Sequence, residues 1–118
     1  MEVAVIVLLA LLQFKHYHID FVAQSSDMVA GKGVYGNLYG LLHSVQHGFG
    51  TLVVCLFFVQ PLLAIGLGIL DFILHYHIDY AKMNLGCQDV KEKEFWVHLG
   101  LDQMLHQITY LIIALLVV

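Results

Sequence analysis

Four pairs of histidine and aspartate residues recur with a spacing of four, which places both side chains of a pair on one face of a helix. The pairs are His16/Asp20, His43/His47, His75/Asp79 and Asp102/His106. Imidazole and carboxylate groups are the ligands that zinc, iron and manganese accept inside helical bundles. The pattern predicts a site for divalent metal, with zinc expected first and iron or manganese as alternatives.

These eight donor groups exceed the needs of one tetrahedral ion. Either two ions bind, or one ion binds while the remaining groups hold the ligands in place or transfer protons. The carboxylates of Asp20, Asp79 and Asp102 would offset most of the charge of two divalent ions. The same three aspartates are the candidate catalytic groups, since a carboxylate that binds no metal can act as a general base.

Two other interpretations of the paired groups stay open. They could relay protons or ions, or they could only hydrogen-bond to one another and specify how the helices pack. Metal binding is favoured over both, because ionisable residues inside apolar segments are costly and usually serve a function.

Further polar residues are expected to support the ligands or to contact a substrate. They are His18, His77, His98, Gln24, Gln103, Lys32 and Lys82. His18 and His77 each follow a candidate ligand by two residues, so they point about 200° around the helix from it. The two lysines could hold an anionic group at the mouth of the site.

The composition indicates that membrane helices position these groups. Hydrophobic residues make up 60% of the chain and charged residues 12%, against about 45–50% and about 25% in soluble domains. Four apolar runs account for the excess: Val3–Phe14, Leu38–Val59, Leu62–Leu74 and Phe95–Val118. With the polar segments that continue the first and third runs, each helix can reach the roughly 20 residues that a bilayer requires. The lipid bilayer is therefore an expected partner.

The chain also aligns with itself at an offset of 59 residues, half its length. The segment HYHID at 16–20 falls on HYHID at 75–79, and His47 falls on His106. We therefore predict an all-α protein with a single transmembrane domain, residues 1–118. Its repeats, 1–59 and 60–118, would form two tandem helical hairpins and so a bundle of four transmembrane helices.

This plan also predicts a topology. All eight histidines and all five lysines fall on the side of the HYHID segments. By the positive-inside rule that side is cytoplasmic, and both termini lie outside. The chain has no arginine and no cluster of lysines, so nucleic acid is not expected as a partner. Four helices make a thin bundle, which leaves room for a homo-oligomer.

The polar motifs resemble those of a family of small bacterial and phage integral-membrane proteins of unknown function. The shared motifs are H-x3-D-F-x2-Q, H-x3-H, H-x3-D-Y-x-K and D-Q-x2-H, which begin here at His16, His43, His75 and Asp102. This resemblance implies a helical protein of the bacterial inner membrane in which these residues form the site, without defining a reaction. A weaker resemblance, to membrane-bound metal-dependent hydrolases with histidines at helix ends, implies hydrolysis.

Three functions are compatible with these features. The first is a metal-dependent hydrolase at the cytoplasmic membrane interface, acting on a lipid headgroup, a phosphoester or another amphipathic substrate. The second is a transporter or sensor of divalent metal or protons, although the outer halves of the helices offer no polar path. The third is a non-enzymatic membrane-interaction protein whose polar cluster only specifies helix packing.

Overall fold

Every regular element of the protein is helical. The computed structural model describes residues 1–118. The elements are α1 (Glu2–Tyr17), a π-helical segment (His18–Ala23), α2 (Ser26–Lys32), α3 (Leu38–Cys55), α4 (Pro61–Leu85) and α5 (Lys93–Val117). The all-α prediction is confirmed.

Side-chain caps determine where three of the helices begin. Ser25 Oγ accepts a hydrogen bond from the backbone N–H of Met28, and Asn37 Oδ1 accepts one from that of Tyr39. Gln60 caps α4 in the same way, with proline at the first helical position. These oxygens satisfy N–H groups that have no partner within the helix, and proline loses nothing there. The caps therefore fix the starts of α2, α3 and α4.

The predicted bundle of four transmembrane helices is wrong. Three helices are long and apolar enough to cross a membrane: Glu2–Ala23, which joins α1 to the π-helical segment, Pro61–Leu85 and Lys93–Val117. Helix α3, which was predicted to be the second transmembrane helix, is not one of these three. Its 18 residues include His43, Gln46 and His47, which lower its hydropathy below that of the other three helices. A run that looked continuous is interrupted by the polar groups of the site.

The two tandem hairpins are also not reproduced. The first half contains the π-helical segment and the additional short helix α2, whereas in the second half α4 runs as an unbroken α-helix to Leu85. Ser25 starts α2, and Asp27 and Lys32 occupy its first and last turns, where the helix dipole favours their charges. Asn84, which stands 59 residues after Ser25, lies inside α4 and cannot start a helix. The two halves therefore fold differently.

Glycines allow a close contact between α3 and α4. A β-carbon on Gly48 of α3 would lie 2.7 Å from the carbonyl oxygen of Gly68 of α4, and one on Gly68 would lie 2.7 Å from that of Gly48. Neither position accepts a side chain without separating the two backbones. Small residues at such a crossing let helices pack tightly where no hydrophobic effect drives them together.

The buried groups divide the bundle into an apolar half and a polar half. The apolar core combines the middle of α1, the end of α3, the start of α4 and the end of α5. Its members are Leu8, Leu12, Cys55, Ala64, Leu67, Tyr110, Ile113 and Ala114. The candidate ligands lie in the other half. Large apolar side chains cover much of the outer surface, as expected for helices that face lipid.

Candidate metal centre

Three histidines surround the carboxylate of Asp20. Its Oδ1 lies 2.8 Å from Nε2 of His47 and 3.0 Å from Nε2 of His43, and its Oδ2 lies 3.2 Å from Nε2 of His16. Asp20 belongs to the π-helical segment and is almost completely buried. A π-helical turn contains an extra residue and is frequent at functional sites. Here it presents the carboxylate to α3.

Asp79 of α4 has a similar environment. Its Oδ1 lies 3.1 Å from Nε2 of His106 on α5, and its Oδ2 lies 3.1 Å from Nε2 of His75. The Nζ of Lys32, at the end of α2, lies 3.1 Å from the same Oδ2. All four residues are at least nine-tenths buried. The carboxylate of Asp79 therefore contacts two imidazole rings and one ammonium group.

Stacked imidazole rings connect the two aspartates. The ring of His75 is centred 3.5 Å from that of His47 and 4.0 Å from that of His106. The Nε2 atoms of His75 and His43 are 3.3 Å apart. The result is one continuous buried cluster contributed by the π-helical segment, α3, α4 and α5.

The donor atoms of this cluster form two groups that could each hold a metal ion. Within each group the donor atoms lie within 4.8 Å of one another. The first group is Asp20, His43, His47 and His75, and the second is His75, Asp79 and His106. Since one Nε2 lone pair binds one ion, His75 can serve only one group at a time. If it serves the second, each group offers three protein donors, the number typical of catalytic sites with an open position.

The chemistry of the cluster fits a divalent cation. The donors are imidazole nitrogens and carboxylate oxygens, which zinc, iron and manganese all accept. Oδ1 of Asp102 is buried beside the cluster and accepts no hydrogen bond, and Nδ1 of His43 and of His75 have no partner. Buried polar atoms without partners are costly. A cation in the cluster would give the carboxylates a counter-charge.

His16 and Asp102, both predicted as ligands, lie beside the two groups rather than in them. Tyr110 hydroxyl lies 2.8 Å from Nδ1 of His16, and Oε1 of Gln103 lies 2.7 Å from its Nε2. Since an amide oxygen only accepts hydrogen bonds, Nε2 of His16 carries the proton and donates it. Asp102 lies 3.4 Å from Nε2 of His106 and accepts a hydrogen bond from Nε2 of Gln103. Gln103 thus connects these two flanking residues.

The other residues predicted to support the site lie at different distances from it. Gln24 donates a hydrogen bond to the backbone carbonyl of Asp20. His18 and His77 are exposed, and His77 contacts the backbone of its own helix and the hydroxyl of Tyr35. Lys32 reaches Asp79 directly, as described above. Lys82 and His98 line a groove between α4 and α5, outside the buried cluster.

A second buried polar network was not anticipated from the sequence. Nζ of Lys15 donates hydrogen bonds to Oδ2 of Asp71 at 2.8 Å and to the hydroxyl of Tyr110 at 3.0 Å. It also lies 3.3 Å from Nδ1 of His47, and Thr51 donates a hydrogen bond to the same Asp71 oxygen. One signal was present: Asp71 is the single charged residue in an otherwise apolar run. Such residues in membrane helices are functional by default.

This network holds two candidate metal-site histidines by their outer nitrogens. His47 contacts Lys15, and His16 contacts the Tyr110 hydroxyl that Lys15 supports. These contacts at Nδ1 restrict how each imidazole ring can turn. An ammonium group can only donate, so Nδ1 of His47 accepts here, whereas behind a bound metal ion it would donate. The Lys15–Asp71 pair therefore positions groups of the centre although it is not part of it.

The protein is all-α, with three helices that are long and apolar enough to cross a membrane and a buried histidine–aspartate cluster that could hold metal. Residues 7–118 match the family described as "Protein of unknown function (DUF3307)", and the chain belongs to that family. No curated protein and no solved structure gives a significant match. The family match agrees with the resemblance to membrane proteins of unknown function and defines no reaction.

Proposed function

We propose that this protein is a membrane-embedded, metal-dependent hydrolase that acts at the cytoplasmic membrane interface on an amphipathic substrate carrying a phosphoester or another lipid headgroup. One observation carries the proposal: two groups of metal donors share a buried cluster with a carboxylate, Asp102, that has an oxygen without a hydrogen-bond donor. A centre that only stabilised the fold would need four ligands and no spare acid or base.

The donors can be divided between two ions. Asp20, His43 and His47 would hold one, and His75, Asp79 and His106 the other, with zinc as the first choice and iron or manganese as alternatives. A single ion held by the first group together with His75 is the simpler version. A divalent ion bound here would act as a Lewis acid on a phosphoryl or carbonyl oxygen and would lower the pKa of a water.

The remaining groups would supply acid–base chemistry and substrate contacts. Asp102, next to His106 and held by Gln103, is placed to accept a proton from a water. Lys32, on a short helix outside the three spanning segments, would neutralise an anionic oxygen of the substrate. Asp20 and Asp79 are the other two candidate catalytic carboxylates, with metal binding as their first role.

Transport of metal or protons is the alternative, and the Lys15–Asp71 pair favours it. The pair extends the chain of buried polar groups from His47 toward the middle of the helices. Beyond it, Leu8, Leu12 and Leu67 belong to an apolar core in which every member is buried. A single chain thus has no polar path across, and conduction would require a homo-oligomer. A non-enzymatic interaction protein is the second alternative, and it requires no metal.

Elemental analysis of the detergent-purified protein tests the proposal. Wild type should carry zinc, iron or manganese. His75→Ala should carry less metal, because it removes a donor of the second ion in the two-ion division and the fourth donor in the single-ion version. His18→Ala is the matched control, since His18 is exposed and should leave the metal content unchanged. Asp102→Asn should retain metal but lose hydrolysis in a screen of phosphoester, ester and amide substrates. Metal-loaded protein that cleaves none of them would refute the hydrolase, and uptake of metal into proteoliposomes would support the transporter.

A further inference from the structure

A groove of about 270 Å³ lies between α4 and α5, next to the candidate metal centre. Its walls are mostly apolar and include Ile78 of α4 and Leu101 and Leu105 of α5. Both helices are long and apolar enough to cross a membrane. The molecules that meet this groove in a bilayer are therefore lipids, and their acyl chains match its walls.

One end of the groove is polar. Lys82, in the last turn of α4, and His98, in the second turn of α5, line it there. Nδ1 of His98 accepts a hydrogen bond from the backbone N–H of Cys87, so the neutral ring carries its proton on Nε2 and can donate it. Gly86 permits this arrangement, since a β-carbon there would lie 3.3 Å from that of His98. An ammonium group and an imidazole donor together suit a phosphate group.

Asp102 links the groove to the metal centre. It lines the groove between the polar end and the apolar wall of Leu105, and it is only 4% exposed. Its Oδ1 accepts no hydrogen bond and lies 3.4 Å from Nε2 of His106. A molecule in the groove would therefore contact the same carboxylate that borders the metal donors.

We propose that this groove binds an anionic glycerophospholipid, with its phosphate at Lys82 and His98 and one acyl chain along Ile78, Leu101 and Leu105. In this orientation the bonds between headgroup and chain lie at the depth of Asp102. Charge complementarity at one end and apolar walls at the other select an anionic lipid over a water-soluble phosphate. The idea that the lipid is also the substrate rests on the proposed function, whereas the binding site does not.

Photo-crosslinking with a phosphatidic acid that carries a diazirine in its acyl chain tests the site in detergent-solubilised full-length protein. The label should map to the groove walls of α4 and α5. Leu101→Trp, which fills the groove, should reduce labelling about tenfold. Lys82→Gln should reduce it about tenfold or more, because a hydrogen bond to a charged group contributes roughly 1.5–3 kcal/mol and each 1.4 kcal/mol is a factor of about ten. Leu111→Trp, an exposed α5 position outside the groove, and Lys93→Gln are the matched controls and should label as wild type does.

A diacylglycerol probe with the same chain separates headgroup from chain contacts. It lacks the phosphate, so Lys82→Gln should not change its labelling, whereas Leu101→Trp should still reduce it. Equal phosphatidic acid labelling of Leu101→Trp and Leu111→Trp would overturn the binding site. Metal content of the same samples keeps the two proposals apart: groove labelling in a protein without metal would refute only the hydrolase, and bound metal without groove labelling would refute only the lipid site.

Discussion

The ammonium group of Lys15 lies 2.8 Å from the carboxylate of Asp71, and both side chains are buried among helices that can cross a membrane. A buried ion pair need not stabilise a fold, because the cost of removing two charges from water is comparable to their attraction. The loss of one partner is different, since the other charge then stays buried without compensation. This asymmetry makes the role of the pair measurable.

Asp71→Leu should destabilise the protein by about 3–5 kcal/mol, the usual cost of breaking a buried pair from one side. The double variant Lys15→Met/Asp71→Leu should recover most of that stability because no charge stays behind. Thermal unfolding in detergent measures both. If the pair positions His47 and His16, the refolded double variant should still bind metal more weakly than wild type. Unchanged metal affinity would contradict the positioning role.

Lys32 should limit how many ions the centre holds. Its ammonium group lies 3.1 Å from Oδ2 of Asp79, a residue of the second donor group. Two unit charges about 4 Å apart interact by about 4 kcal/mol at an effective dielectric constant of about 20. Lys32→Met should therefore raise the affinity of the second group for divalent metal about tenfold or more. Titration followed by elemental analysis measures the stoichiometry; Lys91→Met, on an exposed loop residue, is the control.

Gln103 should influence metal binding without being a ligand. It connects Nε2 of His16 to Oδ2 of Asp102 at the border of the cluster. Substitution of such outer groups typically weakens metal binding about 10–100-fold. Gln103→Leu should show a loss of this size in competition with a chelator of known affinity. Exposed Gln88, in the loop before α5, offers the comparison, and an equal loss in Gln88→Leu would exclude a specific role.

Substitution by alanine should lower the stability of the protein at Gly48 and raise it at Gly66. At Gly48 the added methyl group would lie 2.7 Å from the carbonyl oxygen of Gly68 and would push α3 from α4, with a cost of about 1–3 kcal/mol. At Gly66 the added methyl group meets nothing within 4 Å, and alanine favours the helix by about 1 kcal/mol. Unfolding midpoints in detergent compare the two variants. A neutral Gly48→Ala would show that the close helix contact is dispensable.

The sequence predicted the helical class and the meeting of polar pairs because both follow from periodicity. His43 and His47 recur at helical spacing in an apolar context, and such groups must find partners within the protein. The predicted number of membrane-spanning helices was wrong. The prediction used the apolar length of Leu38–Val59 and did not subtract the lower hydropathy of those same histidines. An apolar segment that contributes histidine ligands to a buried centre has a lower hydropathy, and it is therefore less suited to face lipid.

Other features depend on contacts that no local pattern encodes. The π-helical geometry around Asp20 is not set by the local residues, since the identical segment HYHID at 75–79 is α-helical. The position of α2 over the site depends on Gly31 and Gly40, whose backbones touch so closely that a β-carbon on Gly40 would lie 2.7 Å from the Gly31 carbonyl oxygen. Lys15 was interpreted only as a determinant of topology, since its partner Asp71 is 56 residues away.

The π-helical turn makes the geometry of the site sensitive to the deletion of a single residue. A π-turn holds one more residue than the α-turn it replaces, so the segment His18–Ala23 contains a residue that plain helix geometry does not need. Loss of one residue there would let the helix run on regularly, and the residues inside the former π-turn, Asp20 among them, would change their angle about the helix axis. Composition and hydropathy would hardly change, yet Asp20 would no longer face His43 and His47. Single-codon deletions within this stretch should therefore be eliminated by selection even where substitutions are accepted.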